Sequence, residues 1–169
     1  MRLTTRSEYG LICLLYLCRN ADGKPVSVTE ITQHEKLPKD YVEQIFSKLR
    51  RAGIIRSQKG VGGGFFLNRP ASSITVREVF EAVEEGSIFE VFCSPEIREK
   101  IICGHFSSCS VRPVWSRLKE LIDSFCDQVT LDDLMQDENA AARHVEQIGR
   151  TSPGSYWRES LRAAKEMKS

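Results

Sequence analysis

The chain has 169 residues, of which 41% are hydrophobic and 28% are charged, the composition of a soluble globular protein. No apolar run approaches the roughly 20 residues of a membrane span, and the first residues lack the apolar core and cleavage site of a signal peptide. We therefore expect a cytoplasmic protein without a membrane partner, in which reduced cysteines serve metal or redox chemistry.

The formal net charge of +1 is unevenly distributed along the chain. Residues 1–70 contain 12 Lys and Arg against 6 Asp and Glu, a charge of +6, whereas residues 71–169 contain 12 against 17, a charge of −5. The basic part can meet a polyanion such as nucleic acid, whereas the acidic part would be repelled and should point away.

The first predicted element is a helix that begins near Thr4 and ends at about Arg19. Its middle is almost wholly apolar, so it should be buried on most sides. Cys13 and Cys18 lie in this run and are predicted to be core residues. Glu8 lies in the first turn, where a negative charge is favourable.

Two further predicted helices form a helix-turn-helix. Val28–His34 is followed by a break at Lys36–Pro38, and Lys39–Ala52 then repeats apolar residues three and four apart until Gly53 ends it. A tight break before an amphipathic helix with a polar outer face is typical of DNA-binding proteins.

A β-hairpin is predicted directly after these helices. Its strands are Ile54–Gln58 and Phe65–Arg69, joined by a glycine-rich turn that begins at Lys59. The turn is not a phosphate loop, because it lies between strands and no Gly-Lys-Ser/Thr follows it. The hairpin therefore predicts a wing, and residues 1–70 a winged helix-turn-helix domain.

The exposed side of the second helix and the tip of the wing are predicted to contact DNA. Gln44 can pair with adenine, Glu43 or Asp40 can accept a hydrogen bond from cytosine, and the basic residues should mostly hold phosphates. A solvated helix face explains any single charge almost equally well, so the prediction depends on the arrangement. The predicted DNA-contacting residues are Lys39, Asp40, Tyr41, Glu43, Gln44, Lys48, Arg51 and Lys59.

Residues 71–135 are predicted to connect the DNA-binding domain to a dimer interface. A capping box at Thr75 opens a helix that Gly86 ends. A longer helix then repeats apolar residues over nearly three heptads, which predicts a seam between two copies of the chain, with packing onto the front domain as the alternative. The stripe consists of Val111, Val114, Trp115, Leu118, Leu121, Ile122, Phe125 and Val129.

Three of the six cysteines lie within seventeen residues, at positions 93, 103 and 109. An odd trio with a histidine inside it is hard to interpret as a disulfide framework and is more typical of a soft-metal site that lacks a fourth ligand. Cys126, further on, is predicted to be a core residue. After a last capped turn at Thr130–Met135, residues 136–169 are predicted to be a polar, mobile or weakly docked tail.

No nucleophile–base pairing, paired carboxylates or cofactor fingerprint indicates an enzyme, and no small-molecule substrate is expected. The chain instead resembles the IscR, NsrR and RirA family of winged-helix regulators, also called the Rrf-two family. The resemblance lies in Met1–Gly10, the wing Gly60–Leu67, the segment Ile74–Val79 and the three cysteines, which occur in the family's order over about residues 1–135. It implies a homodimeric DNA-binding regulator, mainly α-helical with a small β wing, that binds an iron–sulfur cluster beside its dimer helix.

The resemblance further implies that Cys93, Cys103 and Cys109 are cluster ligands. Glu8 occupies the first-helix position from which an acidic residue of the partner subunit completes the cluster in NsrR-like members. His105, inside the cysteine loop, is the alternative fourth ligand, and solvent, a small thiol or incomplete ligation also stay open. The nine-residue gap between the first two cysteines is longer than is usual in the family, which leaves the number of irons open. Three thiolates and a carboxylate favour a four-iron cluster, and a two-iron cluster stays open.

The function that the resemblance implies is transcriptional regulation, expected to be repression, at a palindromic operator. The cluster would report iron–sulfur status, iron, nitric oxide or redox stress. Two alternatives of the same fold stay open: a cluster-free sensor that uses its cysteine thiols, and a regulator with a zinc site.

Overall fold

The computed structural model describes residues 3–20, 24–89 and 109–151, without the side chains of residues 149–151. Within these ranges the chain forms seven α-helices and one two-stranded sheet, which confirms the mainly helical fold with a small wing. The elements are α1 (Thr5–Asn20), α2 (Val28–Glu35), α3 (Lys39–Arg51), β1 (Ile55–Gln58), β2 (Gly64–Leu67), a 3-10 turn (Ala71–Ser73), α4 (Val76–Glu84), α5 (Arg112–Gln128), α6 (Leu131–Leu134) and α7 (Glu138–Thr151). The predicted ligands Cys93, Cys103 and His105 lie outside the described residues.

The first helix, α1, is the centre of the front core. Cys13, Leu14 and Leu17 are fully buried, and the helix packs against α2, α3 and α4. At Gly10 the packing against α4 is close, because a Cβ atom there would lie 3.2 Å from the side chain of Val83. A larger residue at position 10 would therefore push α1 away from the end of α4.

The next elements form the predicted winged helix-turn-helix. Ser27 caps α2 by accepting a hydrogen bond of 3.1 Å from the backbone N–H of Glu30. Lys36 has a left-handed backbone (φ 55°), which makes the turn into α3 tight. The strands β1 and β2 then pair antiparallel, with Ile55 opposite Leu67, so the wing follows α3 directly.

The front core continues beyond residue 70, the predicted end of the DNA-binding domain. Ile74, Val79 and Val83 are buried in the same cluster as the apolar side chains of α1 and α3. Leu131 of α6 joins this cluster from much later in the chain. The helix α4 is therefore packed as part of the DNA-binding half.

Both ends of α4 have defined caps. The predicted capping box forms between Thr75 and Glu78, and Arg69 adds a hydrogen bond of 2.6 Å to Glu78. The helix ends within one residue of the predicted position, and Glu85 caps it in the left-handed conformation, with φ of 58°. A non-glycine residue in this conformation is held there by its surroundings.

A second, smaller core joins α4, α5 and α7. Cys126 is 5% exposed within it, which confirms the predicted core cysteine. Arg77 on α4 reinforces the contact by donating a hydrogen bond of 2.9 Å to Asp127 on α5. The buried members of this core are Val76, Ile88, Cys126, Val129 and Ile148.

The chain after residue 136 differs from the predicted polar tail. Residues Glu138–Thr151 form α7, and Ile148 is only 5% exposed against the second core. His144 also lies 3.5 Å from Asp133 on α6. So few apolar residues face inward that the sequence pattern alone does not indicate a docked helix. Residues 152–169 lie outside the described residues.

Candidate nucleic-acid interface and metal-ligand positions

The helix α3 presents a polar face opposite its buried side. The buried side consists of Val42, Ile45, Phe46 and Leu49. The predicted DNA-contacting residues that are exposed on α3 are Lys39, Asp40, Glu43, Gln44 and Arg51. The side chains of Asp40 and Gln44 make no hydrogen bond or ion pair among the described residues, so their polar groups are available to another molecule.

Two of the predicted DNA-contacting residues are less accessible. The Lys48 side chain is 13% exposed, and its Nζ donates a hydrogen bond of 2.9 Å to the carbonyl oxygen of Val83. The same ammonium lies 3.1 Å from Glu85. The ring of Tyr41 packs edge-on against Tyr9, with 5.6 Å between the ring centroids. The expectation that Lys48 holds a phosphate stays a prediction, and to contact DNA this ammonium would have to leave its two partners within the protein.

The exposed face also contains residues that the sequence prediction missed. Ser47 and Arg50 are exposed on α3. Ser47 lies three residues after Gln44, and Arg50 lies seven after Glu43, so both share the outward face of the helix. Helical spacing alone could have identified them.

The wing carries its charges at the tip and along one strand. Gly60 and Gly62 have φ of 111° and 74°, a conformation that favours glycine. Lys59 is exposed at this turn, as predicted. On β1, the Arg56 guanidinium lies 4.5 Å from the centre of the Phe66 ring, which fixes a second cation on the wing.

The two described members of the predicted ligand set are accessible. Glu8 is exposed in the first turn of α1, and among the described residues its carboxylate makes no hydrogen bond or ion pair. Cys109 is half-buried, three residues before the start of α5. The two side chains are thus placed at the beginning of the helix that organises the front core and of the helix predicted to form the dimer.

The other described cysteines suit a core role rather than a ligand role. Burial raises the pKa of the Cys13 thiol to about 12 and that of the Cys18 thiol to about 11. Burial, together with Asp123, likewise raises the pKa of Cys126 to about 11. Because the thiolate is the form that binds metals and reacts, these three thiols are inert at neutral pH.

The chemistry of the predicted donor set fits an iron–sulfur cluster. Thiolates are the usual ligands of such clusters, and a carboxylate is a harder and weaker fourth ligand. Among the described residues, no group of three or more His, Cys, Asp and Glu could hold a metal ion. Cys109 and Glu8 are accessible enough for the role, whereas Cys93 and Cys103 lie outside the described part of the chain.

The helix α5 exposes most of its predicted apolar stripe. Val114 is 62% exposed and Trp115 is 41% exposed, which is unusual for side chains of this kind. Ile122 and Val129 differ from the prediction, because they pack into the second core instead. The exposed stripe consists of Val111, Val114, Trp115, Leu118, Leu121 and Phe125.

None of the helices in the described ranges is long and apolar enough to cross a membrane. A family profile described as Rrf2, iron-dependent transcriptional regulator, matches residues 3–137. The HTH-type transcriptional regulator IscR of Klebsiella pneumoniae is 33% identical over 138 residues, which cover 82% of each chain.

Solved structures of similar proteins match the fold over most of the chain. CymR, the global cysteine regulator of B. subtilis, matches with a TM-score of 0.65 and 27% identity, covering 80% of this chain and 96% of the other. IscR of T. potens matches with a TM-score of 0.63 and 25% identity, covering 81% and 88%.

Proposed function

We propose that this chain, which belongs to the Rrf2 family of transcriptional regulators, binds operator DNA as a homodimer and represses transcription according to the state of a bound iron–sulfur cluster. Like its relatives, the chain is a transcriptional regulator and not an enzyme. The observation that carries the finer proposal is the pair of exposed faces, polar on α3 and apolar on α5, with Cys109 just before α5. We also expect the cytoplasm as its location, since its proposed target is DNA and its cysteines need to stay reduced.

DNA recognition would divide between α3 and the wing. Gln44, Glu43 and Asp40 present the donors and acceptors that read base edges in the major groove. Arg51, Lys39 and Lys59, together with the exposed Arg50, supply cations for phosphates or the minor groove. Tyr41 contributes only the part of its ring that Tyr9 leaves accessible.

Dimerisation would proceed through the exposed stripe of α5. An isolated protomer leaves this stripe in water, and pairing with a second copy removes it from water. A two-fold dimer presents two α3 helices, one to each half-site of a palindromic operator.

The cluster would be held by Cys93, Cys103 and Cys109, with Glu8 of the partner subunit as the fourth ligand and His105 as the alternative. A cluster bound there supplies a centre that oxygen, nitric oxide or iron loss can disrupt. A four-iron cluster is favoured, and a two-iron cluster stays open.

Glu8 would then connect the two subunits. It lies on α1, the central helix of the DNA-binding half, so a ligand bond from Glu8 ties that half to the cysteine segment of the partner. Release of Glu8 frees α1 and lets the two α3 helices change their separation. A coupling of about 1–3 kcal/mol would change operator affinity about 5–150-fold.

The test begins with protein purified without oxygen. Iron and sulfide content and the visible spectrum report the cluster, and an electrophoretic shift on a palindrome near the protein's own promoter reports DNA binding. Affinity should fall steeply with salt. Glu8→Ala should shorten the lifetime of the visible absorption in air and alter operator binding, whereas Glu146→Ala, an exposed carboxylate on α7, should do neither. The role of Glu8 is wrong if its replacement leaves spectrum, air stability and operator binding unchanged.

A cluster-free thiol sensor is the second candidate, because one structural neighbour is a regulator of cysteine. Cys93, Cys103 or Cys109 would then react as thiolates. Protein purified without oxygen would be colourless and free of iron and sulfide, and its DNA binding would follow thiol oxidation. Stoichiometric zinc and indifference to oxidants would instead identify a zinc site.

A further inference from the structure

The last turn of α4 holds the beginning of α1. The Oε1 atom of Glu84 accepts three hydrogen bonds: 2.7 Å from the Thr4 hydroxyl, 3.2 Å from the Thr4 backbone N–H, and 2.6 Å from the Ser7 hydroxyl. Ser7 is only 2% exposed and is the one polar residue that is fully buried among the described residues. Partial burial acts to raise the pKa of Glu84, but the bonds from Ser7 and Thr4 lower it below its ordinary value, so the carboxylate is ionised at neutral pH. Glu8 is the next residue after Ser7.

The same turn of α4 also holds the second half of α3. Lys48 of α3 donates a hydrogen bond of 2.9 Å to the carbonyl oxygen of Val83, and its ammonium lies 3.1 Å from Glu85. Arg51 of α3 lies 3.5 Å from Glu85 on the outer side. The backbone of Glu85 is left-handed, and its side chain lies beside these two cations. The side chain of the neighbouring Glu84 instead accepts hydrogen bonds from the beginning of α1.

The two sets of contacts are mechanically connected. Glu84 and Glu85 are adjacent residues, so their backbones cannot move independently. The helices α1 and α4 are also packed closely, since a Cβ atom added at Gly10 would lie 3.2 Å from the Val83 side chain. A displacement of the first turn of α1 must therefore break the hydrogen bonds to Glu84 or carry the end of α4 with it.

We propose that Glu84 and Glu85 are positioning residues that couple the Glu8 turn of α1 to the DNA-reading helix α3. Glu84 sets the position of the turn that carries Glu8, and Glu85 sets the position of the half of α3 that carries Arg51. This role rests on the proposed function, in which Glu8 is a ligand and α3 reads the operator. It adds to that function a route within one protomer by which the state of the ligand reaches DNA.

The experiment compares operator affinity with and without the cluster, for the full chain and its variants. The readout is the ratio of the two affinities, because a residue with a merely structural role weakens both states alike and leaves the ratio unchanged. Glu85→Ala should retain the wild-type cluster content and lifetime while the ratio falls to within about twofold of one. In Glu84→Ala the ratio of the two affinities should likewise fall towards one. The cluster's lifetime in air should also be shorter, since the Glu8 turn is no longer held.

Rescue and control variants separate coupling from general damage. Glu84→Gln keeps an oxygen that can accept the bonds from Thr4 and Ser7, and should retain at least half of the wild-type ratio. Glu146→Ala removes an exposed carboxylate from α7 and should retain all of it. A wild-type ratio in Glu84→Ala or in Glu85→Ala overturns the proposal.

A second measurement is independent of the cluster. In cluster-free protein, Glu84→Ala should speed amide hydrogen exchange in the last turn of α3 as well as in the first turn of α1. Faster exchange in α1 alone overturns the coupling. Wild-type protein that holds no cluster, or that binds DNA equally with and without it, refutes the proposed function. The exchange result then still decides whether α1 and α3 are connected through α4.

Discussion

The helices α3 and α5 are both amphipathic, yet they expose opposite kinds of surface. α3 buries its apolar residues in the front core and leaves polar side chains in water. α5 exposes an apolar stripe, including Trp115 and Leu118, and buries Cys126 on its other side. The front core is therefore completed within one chain, whereas the exposed surface of α5 is suited to a second copy.

The largest expected effect is on the free energy of unfolding, and it should differ between two phenylalanines. Phe46 on α3 is 1% exposed and Phe125 on α5 is 38% exposed. Phe46→Ala should lower the free energy of unfolding by about 3–5 kcal/mol, because it leaves a cavity in a closed core. Phe125→Ala should cost the isolated protomer less than about 1 kcal/mol, because its ring is already partly in water. Urea denaturation at low protein concentration measures the free energy of unfolding of both variants. Equal losses would contradict the contrast between a closed front core and an exposed α5 surface.

The next effect concerns association. The double variant Leu118→Glu, Leu121→Glu places two carboxylates in the exposed stripe of α5, and should weaken dimerisation at least about 100-fold, or about 3 kcal/mol. Val61→Glu introduces the same charge at an exposed apolar residue of the wing and should leave the dimer intact. Sedimentation over a range of protein concentrations measures the dissociation constant of the dimer. A wild-type value in the double variant would exclude α5 as the dimer interface.

A smaller effect is expected at the polar face of α3. Gln44→Ala should cost about 1–3 kcal/mol on the cognate operator and relax base preference at one position. Arg51→Ala should weaken binding to all sequences and reduce the salt slope by about one. Electrophoretic shifts on cognate and scrambled DNA at several salt concentrations separate the two patterns.

Lys48 supplies a contrast on the same helix. Its ammonium is bound to Val83 and Glu85, so Lys48→Met should lower thermal stability and leave the salt slope unchanged. A reduced salt slope in this variant would show that Lys48 leaves its partners to contact phosphate.

The smallest effect is one of pH. Asp133 is partly buried, which acts to raise its pKa, but the hydrogen bonds from Thr130 hold the pKa below the ordinary 3.8. Because the pKa is lowered on folding, its stabilisation is complete above the unfolded value and is lost as the pH falls through the folded value. Asp133→Asn should lower the free energy of unfolding at pH 7 by about 0.5–1 kcal/mol and flatten its decline in acid. Asp132→Asn, at the exposed neighbouring residue, should change neither the free energy of unfolding at pH 7 nor its decline in acid. Thermal melts from pH 7 to pH 3 measure both quantities.

Local signals explain why most element boundaries could be predicted. The cap at Ser27 and the capping box at Thr75 use contacts within three residues, so the sequence contains both partners of each contact. The wing likewise depends on glycines beside the strands that they join. Periodicity identified the buried side of α3 because four apolar residues repeat with the helix.

Contacts between distant residues explain what the sequence did not reveal. Lys48 is separated by 35 residues from Val83, so nothing near Lys48 indicates that it is bound. Glu84 likewise binds Thr4 and Ser7 across 80 and 77 residues. Of the predicted ligand set, the structure describes Glu8 and Cys109, so their role stays a prediction from the resemblance.

Two backbone hydrogen bonds, from Val76 to Val129 (2.8 Å) and from Leu131 to Ile74 (3.0 Å), bring together the two ends of residues 76–129. In polymer terms these bonds close a loop, whose first helix, α4, is itself packed in the front core. The entropy of closing such a loop grows only logarithmically, and each doubling of its length adds about 0.6 kcal/mol. Lengthening the chain between α4 and α5 by a few residues therefore adds little to the entropy cost of closing this loop.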